Sequence, residues 1–92
     1  MDDIREAIEK SVPSASDIMK VTEYEVWLGQ QPITLRIFDR EGDPLRRRYV
    51  AEAFHSDLPI ADRHNGSPHF NRGHDEDTAS AAIASIQWDK LA

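Results

Sequence analysis

Two runs of alternating side chains, Val21 to Leu28 and Ile33 to Phe38, constrain this chain more than any other feature. A period of two places successive side chains on opposite faces of a strand, so each run predicts a strand with one buried face. In the first, Tyr24, Val26 and Leu28 oppose Glu23, Glu25 and Trp27. In the second, Ile33, Leu35 and Ile37 oppose Thr34, Arg36 and Phe38. The intervening Gly29-Gln30-Gln31-Pro32 has hairpin length. Placing Leu28 opposite Ile33 sets Val26 against Leu35, Tyr24 against Ile37 and Glu25 against Arg36, so the inward pairs are apolar and one outward pair is oppositely charged.

A third strand is expected over about 45–54, after the polar turn Asp39 to Pro44, in which Gly42 can take a left-handed conformation and Pro44 cannot donate to the ladder. Its odd-numbered residues, Leu45, Tyr49, Ala51 and Ala53, are read as inward, because small alanines let a helix approach closely. Ile4, Ala7, Ile8 and Val12 recur at helical spacing and predict an amphipathic helix over about 3–12, ended by Pro13. Ala79, Ala82, Ile83 and Ile86, with Asp77 or Thr78 as N-cap, predict a second over about 78–88. The expected fold is therefore α+β, a three-stranded antiparallel meander with N- and C-terminal helices packed on one face. A chain of 92 residues holds one such domain, residues 1–92.

This order of helix, three strands and helix is similar to that of double-stranded-RNA-binding domains, in order alone. Asp75, Glu76 and Asp77 stand where that family has a basic helix start, and Gly29-Gln30-Gln31 where it has a histidine-bearing loop. The resemblance therefore implies topology and no RNA contact. A net charge of −6, from 17 acidic residues against 11 Lys and Arg, repels nucleic acid and anionic membranes at long range. Arg46-Arg47-Arg48 is the one basic run, and on a strand its members alternate faces. Cysteine is absent, which excludes disulfides and Cys-based metal or redox sites. With no signal-like N-terminus and no apolar stretch of membrane-spanning length, the expected location is cytoplasmic.

Residues 55–77 have no periodicity and exceed ordinary connection length, as functional or disordered loops do. His55, His64, His69 and His74 all lie there, among Asp57, Asp62, Asp75, Glu76 and Asp77. Imidazole and carboxylate together suit a divalent metal, which gives one candidate site, although the spacing follows no ligand motif and no cofactor is expected. Ser56, Ser67 and Thr78 are hydroxyls near these histidines, but no nucleophile elbow, P-loop or dinucleotide fingerprint is present, so an enzyme is not the leading expectation.

With both helices on one face, the other would present Trp27, Phe38 and Val50 beside Arg36 and Arg48. Mixed aromatic and arginine surfaces are what protein interfaces use as anchors. The leading expectation is a small interaction module that binds a protein partner or itself through this outer face. The alternatives are an acidic, antitoxin-like inhibitor of a basic nucleic-acid-binding surface, and a metal-binding or loop-based enzyme using the four histidines.

Overall fold

The computed structural model describes residues 3–14, 19–40 and 47–91. Along the chain lie α1 (Asp3–Ser11), β1 (Lys20–Leu28), β2 (Gln31–Asp39), β3 (Tyr49–His55), β4 (Phe70–Arg72) and α2 (Ala79–Ala84). Single 3-10 turns occupy Ile60–Asp62 and Trp88–Leu91. The architecture is α+β, with one antiparallel sheet in the order β1-β2-β3-β4. The expected turn residues Gly42 and Pro44, and Leu45 at the expected start of the third strand, lie outside the described residues.

The first hairpin is tighter than its sequence suggests. Leu28 pairs with Gln31 rather than Ile33, so Val26 meets Ile33, Tyr24 meets Leu35 and Glu23 meets Arg36. Gly29 makes this possible: its φ of 64° is the only positive one among the described residues, and a two-residue turn of type II′ needs a positive φ at its first position. The correction is a shift of two, which preserves which face each side chain occupies. Pro32 consequently falls inside β2. Its carbonyl accepts from the Ser56 N–H (3.0 Å) at the end of the β2–β3 ladder, so the proline's missing donor costs one bond at a corner of the sheet.

The inner face carries Ile33, Leu35, Ala51 and Ala53, buried against Ala82, Ile86 and Leu91. The odd residues of β3 thus point inward as expected, and Ala51 and Ala53 admit α2 closely. The Thr78 hydroxyl caps α2 by accepting from the Ala81 N–H at 3.1 Å. Gly73 runs against its other end, where a Cβ would overlap the Ser85 Oγ and lie 3.0 Å from the Ala82 carbonyl. Beyond Ala84 the chain folds back, and Trp88 donates its indole N–H to Ile83 (3.1 Å), returning Leu91 to the core.

Two further sequence expectations need correction. The sheet has four strands, because Phe70–Arg72, inside the long loop, pairs with β3. And α1 does not cover the sheet: Ile4, Ile8 and Val12 of its apolar stripe are exposed. The space expected for it is filled by Ile86, Trp88 and Leu91 from the C-terminal segment. Among the described residues, four strands with α2 and a 3-10 turn over them depart from the double-stranded-RNA-binding arrangement as well.

Candidate interaction surface

Period-two alternation and the observed register place four side chains, one per strand, in a row across the outer face: Glu23, Arg36, Glu52 and Arg72. Their charges alternate, so each meets an opposite neighbour. The Arg36 Nε lies 3.8 Å from the Glu23 carboxylate. Glu52, in the middle, is buried; desolvation holds its carboxyl above the ordinary range, opposed by the positive charges of Arg72, Arg36 and Arg63.

On one side of this row lie Val21, Phe38 and Val50; on the other, Glu25, Thr34, Phe54 and Phe70. The loop after β3 returns over the second group. Phe54, Leu58 and Phe70 form a separate small core, with the two phenylalanine rings stacked at 5.9 Å. Arg63 and Arg36 lie over the Phe54 ring at 4.7 and 5.3 Å, and Arg72 over Phe38 at 5.6 Å. Arg63 is held there by its Nε–H donating to the Leu58 carbonyl (2.9 Å). The apolar groups Leu58 and Phe70 therefore fasten the long loop, whereas Ile60 remains exposed.

The five side chains expected to bind a partner separate accordingly. Trp27, opposite Pro32, is 59% exposed, and Arg36 and Phe38 are half-buried farther along the same face, opposite Glu23 and Val21. Val50 is 1% exposed and so has no surface to offer. Arg48 is engaged bidentately by the Asp39 carboxylate at 2.8 and 3.1 Å, with its guanidinium over the Tyr49 ring. What remains accessible lies toward β1: Trp27, Val21, Glu23 and Arg36. Sequence reasoning missed Val21 and the contribution of Arg63 and Arg72, since the latter two reach the sheet only through the fold of the loop.

The histidines do not assemble. His55 and His69 stack at 4.2 Å, and the His55 Nε2–H donates to the Leu91 carbonyl. His64 accepts the Gly66 N–H at Nδ1, and the His74 N–H donates to Ser85. Among the described residues no three His, Asp or Glu side chains are placed to hold a metal. The candidate hydroxyls serve the backbone and loop: Ser56 bonds Thr34, Ser67 receives the His69 N–H, and Thr78 caps α2. The acidic run is paired internally, Asp75 with Arg40 at 2.8 Å and Asp77 and Glu76 with Arg47. These bonds to Arg47 hold the Asp77 carboxyl below its ordinary range. Among the described residues no helix is long and apolar enough to cross a membrane.

Compared with protein-family models, with curated proteins and with solved structures, the chain matches none of them.

Proposed function

We propose that this protein is a non-enzymatic interaction module, acting in the cytoplasm, that docks a protein partner or a second copy of itself on the β1 side of its sheet. One observation carries the reading: the outer face is packed under the loop at Phe54 and Phe70, yet on β1 Trp27 stands 59% exposed and Val21, toward the other end of the strand, 48% exposed. Leaving a tryptophan in water forgoes a large apolar burial, and Trp and Arg are among the residue types that carry most binding energy in interfaces. The acidic run, by contrast, is spent on Arg40 and Arg47, which weighs against an inhibitor that needs it as a decoy.

Affinity capture from the native cell extract, wild type beside Trp27→Ala and Arg36→Ala, tests this reading. Loss of the same retained protein in both folded variants is expected. Retention of an identical set by all three would contradict it.

A further inference from the structure

We infer that the partner fitted by this surface is a second copy of the chain, joined edge to edge through β1 into one continuous eight-stranded antiparallel sheet. The inference rests on the reading of the β1 side as the working surface, and adds the occupant and the mode of contact.

The sheet has two edges of very different character. β4 is three residues long, an edge too short to template much pairing. β1 is nine residues long and pairs without interruption along its inner side, from Lys20 opposite Asp39 to Leu28 opposite Gln31. It contains no proline, and its register with β2 has no bulge. Of the devices that normally blunt an edge, β1 thus lacks shortness, proline and a bulge, and carries only charge, at Lys20, Glu23 and Glu25.

The phase of its backbone follows from the hairpin. Closing a two-residue turn makes Leu28 and Gln31 a hydrogen-bonded pair, so bonds to β2 recur at Leu28, Val26, Tyr24, Thr22 and Lys20. The Pro32 carbonyl, which turns away from β1 to accept from Ser56, agrees with that phase. The N–H and C=O groups of Val21, Glu23, Glu25 and Trp27 therefore point to the open edge. They are the groups a new strand would bond.

These four residues are arranged symmetrically about Tyr24: apolar, acidic, acidic, apolar. A two-fold axis through the edge at Tyr24 sets Val21 against the second copy's Trp27, and Glu23 against its Glu25, in hydrogen-bonded pairs. Four donors from each copy then make eight N–H to O=C bonds. On the inner face Tyr24 meets its own symmetry mate, and Thr22 meets Val26. The side chains that gain cover are those now exposed, Val21 at 48%, Tyr24 at 53% and Trp27 at 59%. The central Glu23 to Glu25 contacts oppose pairing, offset in part by Arg36 beside Glu23. That repulsion supplies a specific test.

Sedimentation equilibrium of the purified full chain from micromolar to millimolar concentration is the first measurement, and a reversible monomer–dimer equilibrium is expected. Glu25→Lys converts two repulsive contacts into two attractive ones and should tighten the dimer by roughly tenfold. Glu6→Lys, on exposed α1, makes the same change in net charge away from the edge and should tighten it far less. Glu25→Pro removes an N–H that β1 does not give to β2, so the fold should survive by circular dichroism while the dimer is lost; Glu25→Thr, which keeps the N–H, should dimerise. Amide exchange at Val21, Glu23, Glu25 and Trp27 should slow as concentration rises. A wild type that stays monomeric at millimolar concentration, or Glu25→Lys that weakens association, overturns self-pairing. If Glu25→Pro fails to fold, the Glu25→Lys response and the amide exchange still decide. A monomeric protein would leave the Trp27 and Arg36 surface standing, which falls only by its own capture experiment.

Discussion

His55 donates its Nε2–H to the Leu91 carbonyl across 2.8 Å, tying the end of β3 to the turn that closes the chain's inner layer. Leu91 is 1% exposed, so this bond holds a core residue that lies at the end of the described chain. His55→Ala should lower stability by about 1–2 kcal/mol, one part-buried hydrogen bond plus lost ring packing on His69. Urea titration measures the loss. Exchange of the Trp88 and Lys90 amides should rise more than that of the sheet; a uniform change across the chain would count against a local clamp.

Glu52 gives a pH dependence of defined sign. Its carboxyl is raised above 4.5 in the folded protein, chiefly by burial, so folding takes up a proton there. The stability this group contributes is fully present below about pH 4.5 and is lost as pH rises through the raised folded value. Glu52→Gln, which mimics the protonated form, should therefore be the more stable protein at pH 7, with the gap to wild type closing on acidification toward pH 4. Paired thermal melts at the two pH values check this. A variant less stable at pH 7 would show that attraction to Arg72 and Arg36 outweighs burial.

Phe54 is fully buried between the sheet and the returning loop, stacked on Phe70 and covered by Arg63. Phe54→Ala should cost about 3–5 kcal/mol, a large share of the roughly 5–15 kcal/mol available to a domain. Because Phe54 is also what the loop rests on, the loop should open first. Limited trypsin digestion should cut after Arg63 in the variant well before global unfolding. Protection of that site equal to wild type would contradict the anchoring role.

How far these features were legible depends on whether their cause is local. Alternation in Tyr24, Val26, Leu28 and in Ile33, Leu35, Ile37 names the strands and their inner face, because one buried side imposes period two. Alternation alone leaves the register uncertain by two, because the same apolar residues match in either alignment; the deciding fact, Gly29 at positive φ, is a backbone choice that alternation does not report. Phe70-Asn71-Arg72 is too short for any period to register, although Asn65-Gly66-Ser67-Pro68 before it does mark a turn. Ile4, Ala7, Ile8 and Val12 form the same stripe whether or not it finds a sheet, and here the C-terminal segment takes that place. On the outer face Trp27 and Val50 alternate alike. One is exposed and the other buried, a difference that alternation does not report.

The claim on which the interaction surface stands is that β1 is an edge whose even residues bond β2 and whose odd residues face outward. Native-state hydrogen exchange on dilute protein reads this residue by residue. Slow exchange at Thr22, Tyr24 and Val26 alternating with fast exchange at Val21, Glu23, Glu25 and Trp27 is the expected result. Uniform protection along β1, or the opposite alternation, would contradict both the register and the open edge.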